Sequence, residues 1–327
     1  MFGRRADGKI VKGMQIIDKA MPYFMPERID ADNRYTQEIR CEGIDKFVQQ
    51  EKARSGVHYS YTEIIIAACV RMLYERPKTN RFISNCKVYQ RNHIAISLTV
   101  KKRLTDDGEE LTLKFFFTGR ESLPQIKKIV DDEIAKNIAN EDYETHKTTK
   151  TAGFLCKLPG WMFKLAMCLV RFLDRHEMLP KALIDASPFH TSLFFSDLRS
   201  IKMGKVYHHI YNFGTTTIFS TLGKVKYVPV AERTGEIHVE KQMDLGFTLD
   251  ERVCDGLYYA NSVRSLVKNI EDPSRMMEPL PEPKLSEKEE KRQNRVYKRK
   301  LKKEARITRR TKKKEQKTQK KAKKKNN

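Results

Sequence analysis

Asp250-Glu251-Arg252-Val253-Cys254-Asp255-Gly256 is the stretch on which the reading of this chain turns. It stands between a long β-like segment, Glu236 to Leu249, and a helical one, Gly256 to Ile270. Glu251 and Asp255 are two carboxylates four residues apart, closed by a glycine that lets the backbone turn tightly into the helix. A compact polar group at an element boundary is a natural place for chemistry, because a rigid strand and helix position what the connecting loop carries.

Outward from this turn the periodicity alternates between strand and helix. Arg34 to Arg40 reads as a strand and Gly43 to Ala53 as an amphipathic helix with Ile44, Phe47 and Val48 on one face. Tyr61 to Tyr74 reads as a buried helix, apolar nearly all round, with Thr62 as its cap and Pro77 beyond its end. His93 to Val100 alternates in the manner of a half-buried strand, Leu111 to Phe117 follows with β-favouring residues, and Asp107-Gly108 suits the turn between them. Helices are expected over Gln125 to Ile138 and Trp161 to Arg175, and strands over Thr191 to Ser196 and Thr215 to Leu222. The second of these helices has three readings: a lid, a helix lying on a lipid surface, or, favoured here, one docked on the body or another subunit. The order of elements around one sheet system gives an α+β fold, or α/β with antiparallel pairing. The aromatic and proline-rich Met21 to Pro26 reads as part of an extended arm, residues 1–33, packed on the body.

The turn, taken with these segments, resembles the superfamily of chloramphenicol acetyltransferase and the dihydrolipoyl acyltransferase catalytic domains. That family reads H-x-x-x-D-G here, often D-H-R-V-x-D-G, followed by a helix near the C-terminus. Tyr59 to Ala68 with Arg76-Pro77-Lys78-Thr79-Asn80 is similar to its first core helix and proline exit, and Tyr89 to Leu98 to its next strand. Phe194-Phe195-Ser196-Asp197-Leu198 looks like its I-S-N-L strand, which carries a hydroxyl. The resemblance implies a two-layer sandwich, a mixed sheet with helices on one side, over about residues 34–273 with a helical insert around 155–185. It also implies acyl-coenzyme A as donor substrate and a homotrimer with sites between subunits.

In the family an imidazole takes the proton of an incoming hydroxyl or thiol, which attacks the thioester. A Ser or Thr hydroxyl donates to the oxyanion, and the Asp of D-G holds the local architecture by ion pairing. Carried over, Ser196 matches the hydroxyl, Asp255 the structural Asp and Gly256 the Gly, with Asp250 and Arg252 as structural neighbours. The histidine does not carry over, because its position is Glu251. An unperturbed Glu has a pKa about two units below His, so it is a weak base unless burial raises it. His190 and His209 are alternative bases, since each borders β-like sequence, and a structural ion pair with Arg252 or another arginine is the competing role for Glu251.

Composition bounds the rest. The 327 residues carry a formal charge of +23, and residues 284–327 hold 22 Lys+Arg against 5 Asp+Glu, leaving the rest only mildly basic. Pro279, Pro281 and Pro283 suggest a linker over 274–283 ahead of a tail too poor in apolar residues to fold alone, though helix on a partner is open to it. Its lysine runs suit a polyanion such as RNA or an acidic membrane surface, or simple solvation. No apolar run approaches the roughly 20 residues of a membrane-spanning helix. No secretory signal, phosphate loop or G-x-S-x-G elbow is visible. Six scattered cysteines lack zinc spacing, so no metal is expected, and reduced thiols in a cytoplasmic protein are the plain reading. Asp18-Lys19-Ala20 echoes a lipoylated lysine, but a lipoyl module needs about 80 residues of β-sandwich, and neither that nor a subunit-binding module fits ahead of the body. The expected activity is therefore acyl transfer from coenzyme A with Glu251 at the base position. The alternatives are an inactive trimeric scaffold or acyl-CoA-binding protein, and a polyanion binder acting through its tail.

Overall fold

Residues 5–101, 105, 108, 110–138 and 159–282 are described by the structure, a computed structural model. Six strands form the principal sheet in the order β2-β10-β8-β7-β5-β6: β2 (Asp32–Arg40), β5 (Ile94–Lys101), β6 (Glu110–Phe117), β7 (Leu193–Asp197), β8 (Ile218–Leu222) and β10 (Ile237–Asp250). β9 (Lys226–Ala231) pairs with the first half of β10. β7 runs parallel to both β5 and β8, and the other pairings are antiparallel, so the sheet is mixed. A smaller sheet joins β1 (Gly8–Ile10), β4 (Lys87–Arg91) and β3 (Arg81–Ser84).

Helices pack on one face of the principal sheet. α3 (Tyr61–Glu75) buries Ile64 to Leu73 without a break, against α2 (Glu42–Ser55), α4 (Leu123–Ile138) and α7 (Gly256–Glu271). Its N-terminus is closed by a capping box from Ser60 and Glu63, two residues before the expected Thr62. Thr62 instead donates from its hydroxyl to Asp197 at 2.6 Å. The sheet side chains divide by parity: Leu193 and Phe195 of β7, and Leu245, Phe247 and Leu249 of β10, enter the helix-side core. Phe194 of β7 and Phe219 of β8 stack on the opposite face, where Ile210 also packs. Two further helices follow α4 in the chain: α5 (Gly160–Arg175) and α6 (Lys181–Ala186).

Several expectations need correction. The segment Met21 to Pro26 is not extended, because α1 (Ile16–Phe24) runs through Pro22. Tyr89 to Leu98 is not one strand, because the chain turns at Asn92-His93 between β4 and β5. β3 and β4 join through Asn85 and Cys86, at φ 47° and 55°, a tight turn without the glycine that would have signalled it. The body also continues past residue 274. Met276 is buried, and the Leu280 N–H donates to Arg120 O at 3.0 Å. The compact unit ends at Leu280, with a second unit from Pro281 to Asn327. The tail and residue 107 of the expected Asp107-Gly108 turn lie outside the described residues.

Candidate active site

The last strand delivers the turn. β10 ends at Asp250, whose side chain is fully buried and receives two donors from Arg252, Nε at 2.8 Å and Nη2 at 2.7 Å. Arg252 Nη1 also donates to Met25 O at 2.8 Å, tying the turn to the end of α1. The buried Tyr259 hydroxyl donates to Asp250 O at 2.9 Å. Asp255 then accepts from the Tyr258 N–H at 2.8 Å as the N-cap of α7. This corrects the ion-pairing role expected for Asp255, which is exposed and forms no salt bridge among the described residues. The bidentate, buried pair of the turn is Asp250 with Arg252.

Glu251 is thereby isolated. Its backbone N–H donates to Ala31 O at 3.1 Å, while its carboxylate is exposed with no hydrogen-bond or ion-pair partner among the described residues. The structural ion pair with Arg252 does not form, because Arg252 is committed to Asp250. The turn thus presents one free carboxylate on a rigid base.

Ser196 lies near the end of β7, in register with Thr99 of β5 and Thr221 of β8, and Thr221 is in turn opposite Gly246 of β10. These positions share the face away from the helices, by the same parity that puts Phe195 and Leu245 in the core. Thr221 Oγ1 donates to Val206 O at 2.5 Å and accepts from the Val206 N–H at 3.2 Å. Gly246 permits this close cover, since a Cβ there would lie 2.8 Å from Thr221 Oγ1 and 3.0 Å from Val206 O. Ser196 and Glu251 do not meet within one chain. From the Gly246 level to Asp250 is four residues, about 13 Å, and β7 is two strands from β10, about 10 Å more across the sheet.

The two histidines differ. His190 is completely buried, its Nδ1 2.8 Å from Ser187 Oγ and its Nε2 3.3 Å from Asp174 Oδ1. Burial lowers its pKa below the ordinary histidine value, although Asp174 works against this. It belongs to a cluster in which Arg5 binds Asp7 at 2.8 Å and Asp174 at 2.8 Å, beside Arg91. His190 is therefore a structural histidine, and its expectation as a base is withdrawn. His209 is exposed, its ring 4.5 Å from His208 and 5.1 Å from Tyr211 between centroids. It lies on the segment that runs from Val206, beside Thr221, towards the Asp32 end of β2, between the Ser196 and Glu251 ends.

Asp32 was missed by the sequence reading. It pairs in register with Asp250, and both of its carboxylate oxygens are buried without a well-formed hydrogen bond. Burial pushes this carboxyl up, against the pull of the Ile210 backbone and Arg34. A carboxyl of this kind next to a candidate base is a typical acid-base element. Its only signal was a position at the start of a strand. A cavity of about 300 Å³ opens between β2 and α7, lined by Tyr35, Gln37, Gly256, Tyr259 and Arg264 among others.

With this geometry in place, the comparisons with known proteins are informative. A probable dihydrolipoamide acetyltransferase from Listeria monocytogenes superposes with a TM-score of 0.50, at 15% identity, over 80% of this chain and 94% of that one. The fold is that of a dihydrolipoamide acetyltransferase catalytic domain. A second acetyltransferase of this type, from Azotobacter vinelandii, matches with a TM-score of 0.50 at 14% identity, over 82% of this chain and 95% of that one. That enzyme was investigated for the role of a serine, a histidine and an asparagine in its catalytic mechanism, the last two four positions apart. A chloramphenicol acetyltransferase aligns at 14% identity over 81% of this chain and 98% of that one, with a TM-score of 0.48. The family model for the catalytic domain of 2-oxoacid dehydrogenase acyltransferases matches residues 209–278, a span that contains the whole turn. No curated protein matches by sequence. The strand-to-helix turn inside this matched span carries Glu251.

Proposed function

We propose that this chain is a coenzyme A-dependent acyltransferase acting as a homotrimer, with Glu251 of one subunit as base and Ser196 of a neighbour facing the oxyanion. The observation that carries this reading is the unpartnered carboxylate of Glu251, held at the tip of a turn whose other charges are internally satisfied. A glutamate kept for architecture would be expected to share the Asp250–Arg252 network. The four-residue spacing from Glu251 to Asp255 also matches the histidine-to-asparagine spacing named for the Azotobacter enzyme. The separation of Ser196 from Glu251 in one chain supports a site completed by a second copy.

In the proposed reaction Glu251 accepts the proton of an acceptor hydroxyl or thiol as that atom attacks the thioester carbonyl. Ser196 donates to the oxyanion of the tetrahedral intermediate. Collapse breaks the carbon–sulfur bond, and the departing thiolate takes the proton back from Glu251, so that coenzyme A leaves as the thiol and Glu251 is again a carboxylate. Asp32, a buried carboxyl beside the same turn, is placed to assist proton transfer. Buried free thiols at Cys41, Cys69 and Cys254 fit the cytoplasm as the compartment.

The exposure of Glu251 in the single chain favours one alternative: an inactive acyl-CoA-binding scaffold that kept the fold after the histidine was lost. Release of free coenzyme A from acetyl-CoA, followed with a thiol reagent, separates the two. The acyltransferase reading expects wild type above the Glu251→Ala variant, and equal background rates from both would overturn it. The polyanion reading rests on the charge of residues 284–327, and unchanged retention on heparin without them would remove it.

A further inference from the structure

Helix α5 has apolar side chains on two sides. Phe163, Ala166, Met167, Val170 and Leu173 are half-buried, and Asp174 anchors this inward side through Arg5 and His190. The opposite side is also apolar and faces solvent: Trp161 is 70% exposed, Leu165 65%, Leu169 57% and Phe172 52%. At 100° per residue these four form one stripe along the whole helix. Lys164, Arg171 and Arg175, all exposed, fall together along one flank of it, and the exposed surface of α5 carries no acidic residue.

We propose that this face of α5 seats on an anionic phospholipid surface, lying in the plane of the headgroups. A tryptophan and leucines on one face with cations beside them is the arrangement that buries apolar area at the acyl boundary while the cations reach the phosphates. Sixteen residues span about 24 Å, and among the described residues no helix is long and apolar enough to cross a membrane, so the helix lies on the bilayer. Charge decides between lipid and a second copy as occupant. A second copy of the same face would set Lys164, Arg171 and Arg175 against their own counterparts, with no exposed acidic residue on α5 to meet them. An anionic surface instead attracts the helix cations and the 22 Lys+Arg of residues 284–327 alike. This inference is independent of acyl transfer and goes beyond it, assigning the chain a place of action.

Trp161 is the only tryptophan, so intrinsic fluorescence reports this helix alone. The full chain is titrated with vesicles of phosphatidylglycerol and phosphatidylcholine, and separately with phosphatidylcholine alone. The expected result is a blue shift of Trp161 emission and quenching by brominated acyl chains with the anionic vesicles, weakened by salt. The full-length Leu165→Glu/Leu169→Glu variant changes only exposed positions; circular dichroism checks its fold. It is expected to bind about tenfold or more weakly, from the lost apolar burial, and to show no shift. Unmoved Trp161 emission in the wild type overturns the proposal, as does equal vesicle binding by wild type and variant, which would place all attraction in the tail. A blue shift that follows protein concentration without lipid, abolished by the variant, also overturns it in favour of a second copy.

Discussion

Two of the arginine-aspartate clusters among the described residues use their neighbours in opposite ways. In the Arg5–Asp7–Asp174 cluster the charged groups face inward on one another: His190 is fully buried between Ser187 and Asp174, and Arg5 bridges two carboxylates. At the Asp250–Arg252 turn the pair satisfies itself and leaves the next residue, Glu251, unpartnered in solvent. The first cluster holds the residue type suited to proton transfer in a place no substrate can reach. The second holds a weaker base in an accessible one. Access and free valence, more than residue type, separate a structural site from a candidate active site.

Mutations can break this comparison, and the largest effect is expected at the turn. Arg252→Ala leaves the Asp250 carboxylate buried without its counter-ion, which should cost about 3–5 kcal/mol in urea unfolding. Glu251→Gln, one residue away, should change stability by less than about 0.5 kcal/mol. A large loss for Glu251→Gln would mean that its carboxylate has a structural partner after all. His190→Ala should cost about 1–3 kcal/mol by leaving Asp174 and Ser187 short of partners, with acyl turnover per folded molecule unchanged. Asp255→Ala should lose about 1 kcal/mol as a helix cap, and a much larger loss would restore the ion-pairing role.

Acid should sharpen the same contrast. Burial lowers the pKa of His190, and that of His93 to about 4. In the unfolded chain both histidines take up a proton near the ordinary value of about 6.5. The unfolded state therefore binds more protons between these limits, and stability should fall as pH drops from about 6.5 towards 4. Replacing His93 with Gln should flatten that slope, as followed by melting temperature across the window.

The fold was legible wherever burial forces a pattern. The unbroken apolar run of α3 and the alternation of β5 and β6 put these elements within a residue or two of their places. What escaped was set by tertiary contact. β3 and β4 turn through Asn85 and Cys86 without a glycine, and α1 forms across Pro22 because the residues after it lock onto Arg252. At the site, the strand-turn-helix frame could be read from residues 250–256. Which carboxylate Arg252 would choose could not, since Asp250 and Glu251 both lie within two residues of it, and the buried one is the partner. Asp32 was invisible for the same reason: its place opposite Asp250 comes from strand pairing.

The central claim is that Glu251 and Ser196 act together from different copies of the chain. Mixing the Glu251→Ala and Ser196→Ala variants, co-expressed so that subunits assort, tests it directly. Each variant alone should be at background in acyl-CoA turnover. A random mixture should regain about a quarter of wild-type activity, because one inter-subunit site in four then pairs an intact Glu251 with an intact Ser196. A mixture no more active than either variant alone would contradict the account.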